Sequence, residues 1–336
     1  TDRTMTRRNM LILIIALLCL FIKGRAQRLD LGLEQTTELQ TNFQHVKAMS
    51  LLETSLDWRV CSGISLEAHT LTTLPTSAEP IICDLQGFSN IDADPIPLTF
   101  SQLSLNWTTS HTMLKAGLRN LNALYFASDG VSLFTHSSHG IHPTLSANFP
   151  VANYPNASLG LDFQWFNDAW QLLASLYNGT GYSDLPSQFR IAPKEDGLFA
   201  ALQLSHQASY GNAHVGYATT QYVATGHAPS LRPVHTLWAY SELSLGEHFT
   251  LIPQYSRAIG PADCHRYAAL AIATTIGAAQ IGLAETIAWY TIATEYATEL
   301  TATLDLGDHV ALQPALHLIH CGPETHFATL LRVTIS

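Results

Sequence analysis

The stretch ASLGLDFQWFNDAWQLLASLY (157–177) spells out two strands and a turn residue by residue. Leu159, Leu161, Phe163 and Trp165 alternate with Ser158, Gly160, Asp162 and Gln164. After Asn167-Asp168, Trp170, Leu172, Ala174 and Leu176 oppose Gln171, Ser175 and Tyr177. A period of two puts each set on one face of a strand, and the tight turn makes the pair a hairpin. An apolar face backed by a hydrogen-bonding one is what a barrel with lipid outside and water inside requires. Trp165 and Trp170 flank the turn, and indole rings favour a membrane–water interface, so this turn marks one rim.

The same grammar recurs to the C-terminus. Tyr296, Leu300, Ala302, Leu304 and Leu306 oppose Glu299, Thr301, Thr303 and Asp305, while Phe327, Thr329, Leu331, Val333 and Ile335 oppose His326, Ala328, Arg332 and Thr334. Less regular copies lie at 97–107, 111–119, 197–208, 212–222, 234–245, 247–257, 264–274 and 278–287. Counting starts at 64–73, where Ile64, Leu66 and Ala68 oppose Ser65, Glu67 and His69, and reaches fourteen strands. The fold class expected is all-β: a transmembrane antiparallel up-and-down β-barrel of 14 to 16 strands with a long inward-folding loop. A soluble β-sandwich also alternates, but it does not combine regular hairpins with so little charge.

Export fits that reading. Met10 to Ile22 is an apolar run behind Arg7 and Arg8, followed by Gly24-Arg25-Ala26. It is shorter than the roughly 20 residues a spanning helix takes, and reads as a signal peptide, 1–26. Residues 27–51 are polar without a period, so a flexible lead is expected there. Leu52, Leu56 and Val60 stand at helical spacing ahead of Ser62-Gly63, which suggests a short helix over 52–61 at the start of a barrel domain, 52–336.

The chain is 47% hydrophobic and only 12% charged, about half the charged fraction of a soluble domain. The leader holds five of the 16 Lys and Arg and one of the 26 Asp and Glu, so removing it leaves 11 against 25, a formal charge of −14. That balance argues against nucleic acid as a partner. Cys61, Cys83, Cys264 and Cys321 are too scattered for a disulfide framework or a zinc motif, and Cys61 with Cys83 is the closest pair. No H-E-x-x-H, G-x-S-x-G or phosphate loop occurs, so no metal, cofactor or catalytic residue is expected.

One connection breaks the rhythm. Asn120 to Asn156 is a 37-residue loop carrying Tyr125, Phe126, Phe134, Phe149 and Tyr154 among small polar residues, with Asp129 its one charge. Loops of that length are usually functional. The strand before it sets Lys115, Gly117 and Arg119 against Leu114, Ala116 and Leu118. Both cations must face the lumen, since a cation on the lipid side costs about 2–4 kcal/mol at the midplane. Glu67 and Asp129 are the candidate opposing carboxylates. A constriction built from Lys115, Arg119, Glu67, Asp129, Tyr125, Phe126 and Phe134 could select solutes; equally, Arg119 could serve only to brace the wall.

Four stretches carry a family resemblance: DLQGFSNIDA (84–93), LKAGLRNLNALYFASDGVSLFTHSSHGIHPTLSANFPVANYP (114–155), KEDGLFAALQLSH (194–206) and TLDLGDHVALQPALHLIHCGP (303–323). Together they resemble the carbohydrate-selective porins of the OprB type, over roughly 52–336. The resemblance implies a passive outer-membrane channel favouring sugars, in a barrel of about sixteen strands, and it places Lys115, Arg119 and the 129–148 loop at the constriction. Three features depart from the family. Only ten residues separate Thr73 from Asp84, Cys321-Gly322-Pro323 replaces an Asn-Pro-Gly type turn, and the chain ends in Ile-Ser rather than an aromatic residue.

The function expected is passive diffusion of small carbohydrates through an outer-membrane porin, with membrane lipid as the surrounding partner and a homo-oligomer compatible with the reading. The alternatives are a plugged structural or surface-binding barrel without transport, and an outer-membrane hydrolase whose residues meet only in space.

Overall fold

The computed structural model describes residues 28–220 and 233–336; the expected leader lies outside them. Sixteen strands form one closed antiparallel barrel. They are β1 (Arg28–Thr41), β2 (Val46–Cys61), β3 (Ile64–Pro75), β4 (Ile96–Thr108), β5 (Thr112–Arg119), β6 (Ser158–Phe166), β7 (Trp170–Asn178), β8 (Leu198–Ala208), β9 (Gly211–Thr220), β10 (Val234–Leu245), β11 (Phe249–Ile259), β12 (Cys264–Ile276), β13 (Ala279–Tyr290), β14 (Thr294–Asp305), β15 (Val310–Cys321) and β16 (Glu324–Ile335). Every strand pairs with its sequence neighbours, and β1 closes on β16 from Gln35 opposite Ile335 to Thr41 opposite Thr329. Closure leaves no strand edge unpaired, the condition for sheet structure to cross a bilayer.

The sixteen strands correct the count of fourteen. The two additional strands occupy the expected flexible lead and the expected helix over 52–61. Leu52, Leu56 and Val60 fit a period of two as well as one of 3.6, and in β2 they stand opposite in parity to Lys47, Glu53 and Asp57. β1 lacked an apolar signature because its mid-height outer positions are polar. Gln35 and Thr37 face outward there, and Gln35 Nε2 donates to Ser50 Oγ at 2.5 Å across the β1–β2 pair.

Elsewhere the alternation holds. Leu161, Phe163, Leu176, Leu202, Leu237, Leu283 and Leu318 are all exposed on the outer face. Trp107, Trp165, Trp170 and Phe249 sit near one rim, with Tyr217, Tyr255, Tyr296 and Phe327 near the other. Two aromatic belts around an apolar band match the thickness profile of a membrane. The Trp-flanked rim carries short turns such as 62–63, 167–169 and 277–278, and the opposite rim carries the long connections 76–95, 120–157 and 179–197.

The interior is not an open tube. Residues 120–157 fold inward as short helical turns, among them Asp129–Ser132 and Pro143–Ser146. Their Leu121, Tyr125, Phe126, Leu133, Phe134, Leu145 and Phe149 form one buried cluster with Leu173, Tyr177, Phe199, Trp238, Tyr240 and Ile252 of the wall. Gly216 makes this packing possible: a Cβ there would lie 2.1 Å from the ring of Trp238. The connection 76–95 also turns inward, burying Ile81, Ile82 and Phe88 against Ala297, Ala315, Ile319 and Leu330, and Ile91 against Met49 and Leu71.

Candidate functional site

Three wall carboxylates hold these inward segments by their backbone. Glu299 accepts from the Thr135 and His136 amides at 2.8 and 3.0 Å and from Thr135 Oγ1 at 2.9 Å. Glu295 accepts from the Leu85 and Gln86 amides at 2.7 and 3.0 Å, and Glu242 from Gly130 and Val131 at 2.7 and 3.2 Å. Asn148 adds a fourth anchor, accepting from Asp263 and Cys264 N–H while donating to the Cys264 carbonyl. Each anchor satisfies amides that an irregular segment would otherwise bury unpaired. Burial also keeps the loop imidazoles neutral, pushing His136 and His142 down to about 3.

Lys115 and Arg119 face inward as their parity requires. Lys115 Nζ pairs with Glu67 at 2.8 Å. Arg119 is fully buried, with Nε 2.5 Å from Asp162 and Nη1 donating to Gln102 at 2.7 Å and to Ser104 at 3.2 Å. Asp162 in turn accepts from Ser175 Oγ and from Tyr177 Oη at 2.7 Å, and Tyr125 Oη reaches Ser175 at 2.9 Å. A guanidinium without solvent contact braces strands β4 to β7. Of the two expected partners, Glu67 takes its place and Asp129 does not. Asp129 is exposed, lining a separate recess with Glu242 and Gln280 below the loop, and the second carboxylate is Asp162. Asp162 was legible as a lumen residue on β6, but only the β5–β6 register sets it beside Lys115 and Arg119.

Tyr125, Phe126 and Phe134 are at most 4% exposed. They hold the loop on the wall and present only edges to the space beside it. Phe134 approaches the wall at Gly282, where a Cβ would fall 2.8 Å from its ring.

The loop covers the inner face from β7 round to β13, so the open space lies along β14–β16 and β1–β5. Three cavities follow that wall. The first, about 570 Å³, lies between the loop edge and β1, β2 and β14–β16, where Glu34, Glu53, Asn90, Asp92, Tyr154 and Arg332 face it. The second, about 560 Å³, shares Glu34, Glu53, Asn122 and Tyr154 and adds Ser55, His69 and Gln102. The third, about 600 Å³, lies nearer the short-turn rim, beside Asp57, Arg59, Ser65 and Glu67. Carboxylates, amides and hydroxyls thus stand among apolar side chains in three cavities down one side of a barrel whose other side is filled. Sequence alone hides these cavities, because Glu34 and Glu53 lie in the stretch without an apolar period and in the helical spacing over 52–61. Among the described residues no cluster of His, Cys, Asp or Glu has the geometry of a metal site, and the four cysteines are unpaired.

No family model and no curated protein matches the sequence, but solved structures do match the fold. OprB of Pseudomonas putida, in a high-pH structure, superposes with a TM-score of 0.78 at 10% identity, covering 91% of this chain and 94% of that one. An anion-selective porin from Comamonas acidovorans gives 0.63 at 9% identity, covering 92% and 99%. A loop-deletion mutant of the Vibrio cholerae outer-membrane protein OmpT gives 0.62 at 10%, covering 93% and 99%. The chain is a sixteen-stranded barrel of porin fold.

Proposed function

We propose that this protein is a bacterial outer-membrane channel through which small neutral polar solutes, sugars in particular, diffuse down their gradient. One observation carries the reading: the loop packs against β7–β13 and leaves cavities beside β1–β5 where carboxylates, amides and hydroxyls face the open space. Sugars shed water readily only where amides, hydroxyls and carboxylates replace it, and Glu53, Asn90, Asn122, Gln102 and Tyr154 supply such groups. The solute would pass between the loop edge at Asn122 and Tyr154 and the wall at Glu34 and Glu53, which line the same two cavities. Lys115 and Glu67 border the lower part of that path, Tyr125, Phe126 and Phe134 back it from the loop side, and Arg119 keeps the wall in register. Short turns face the periplasm and long connections the exterior, as in other outer-membrane barrels, after removal of a signal peptide over 1–26.

Purified protein in planar bilayers is expected to give discrete conductance steps that millimolar monosaccharides partly block. A barrel whose gel mobility changes on boiling, showing that it is folded, yet which passes no current would overturn the channel reading. The alternative, a plugged barrel without transport, draws on the second inward segment, 76–95, seated on β14–β16. That reading predicts zero current in the intact chain and current only after one segment is removed.

A further inference from the structure

The lumen's charge balance bears on which ions share the path. Arg332 is held by Glu38, with its Nε 2.7 Å from Oε1; Lys47 is 2.7 Å from Asp92; Lys115 is 2.8 Å from Glu67; and Arg119 is 2.5 Å from Asp162. Each of these four cations is thus cancelled at contact distance by a wall or loop carboxylate. At the short-turn mouth Arg28 pairs with Asp30 at 2.9 Å.

The cancellation does not run the other way. Glu34 and Glu53 are register partners on β1 and β2, both face the upper two cavities, and neither has a hydrogen-bond or ion-pair partner among the described residues. Asp57 has only the imidazole of His69, at 3.0 Å. Against these three carboxylates stands one unpaired cation lining the cavities, Arg59 at the mouth. Glu242, Glu295 and Glu299, beneath the inward segments, are likewise satisfied by amides and hydroxyls rather than by cations.

We infer that the channel prefers cations to anions, and that Glu34 and Glu53 are the residues that set this preference. The inference rests on the channel reading and adds a charge specificity to it. The two side chains face one another across adjacent strands beside the loop edge. At 0.1 M salt the Debye length is about 10 Å, so their field reaches into the cavities they line, while the paired charges contribute only short-range dipoles. A neutral sugar is indifferent to this field, whereas an anionic solute meets a barrier. The fold does not impose this sign, since the Comamonas porin of the same fold is described as anion-selective; the side chains on the inner wall supply it.

The test is the reversal potential of the full chain in planar bilayers under a KCl gradient. The potassium-to-chloride permeability ratio is expected to exceed one at about 0.1 M salt and to fall toward one near 1 M, where screening shortens to about 3 Å. E34Q/E53Q should at least roughly halve the ratio at low salt, and R59Q should raise it. A wild-type ratio at or below one, or a ratio insensitive to both salt and the double substitution, would overturn the inference while leaving the sugar channel intact. Absence of any current from a folded barrel would remove both. Should E34Q/E53Q not fold, the wild-type salt dependence decides alone.

Discussion

Arg119 and Glu299 show how much of this barrel depends on single charged side chains that never touch solvent. Removing the guanidinium by Arg119→Met leaves Asp162 buried with only the Ser175 and Tyr177 hydroxyls. Losing one member of such a pair typically costs about 3–5 kcal/mol. The expected outcome is a lower urea midpoint in detergent, with the heat-dependent gel shift lost at milder temperature. Glu299→Gln acts differently. An amide can present its oxygen to Thr135 or to the His136 N–H but not to both, so one buried amide loses its acceptor at a cost of about 1–3 kcal/mol. The barrel should survive, while the loop becomes open to limited proteolysis and the single-channel trace becomes noisy. Sequence parity placed both residues on the lumen side correctly. It could not distinguish a solute-facing cation from a bracing one, because that depends on how far the loop reaches across β4–β7.

At the scale of elements, the two inward segments should respond to pH in opposite directions. His136 and His142 fall to about 3 when buried, from about 6.5 when free. The unseated loop therefore takes up protons first, and seating of 120–157 should weaken as pH drops below about 6.5, levelling off near 3. In 76–95, burial and the nearby Glu295 carboxylate push Asp84 up to about 7 from 3.8. There the seated form holds the proton, so its stability is full below about 3.8 and is lost as pH rises through 7. Protease protection of each segment, followed from pH 4 to 9, should show the crossing; parallel profiles would contradict it. The long loop could be read as an element from its lapse in alternation and its aromatic content. The shorter segment could not, since Ile81, Ile82 and Phe88 are too few to mark an inward fold. β1 and β2 stayed hidden because polar Gln35, Thr37 and Ser50 interrupt their outer face.

For the whole molecule, the register offers a direct way to open the lumen. Arg119 and Ser158 are Cα partners across β5 and β6, so excising 121–156 leaves Asn120 and Ala157 as a two-residue hairpin link. The shortened chain should still close, and its conductance should rise several-fold in planar bilayers; unchanged current would mean that the open space along β1–β5 is not confined by the loop.

The inner wall from β7 to β13 has a consequence for biogenesis. An ordinary barrel strand has one wet face, but here Leu173, Phe199, Trp238 and Ile252 stand among the polar Ser175, Gln203, Thr236 and Gln254, so these strands carry large apolar side chains on both faces until the loop is seated. Before insertion the inner side therefore exposes rings and aliphatic groups that the seated loop later covers. Early collapse of the loop onto those strands would shield them on the way to the membrane.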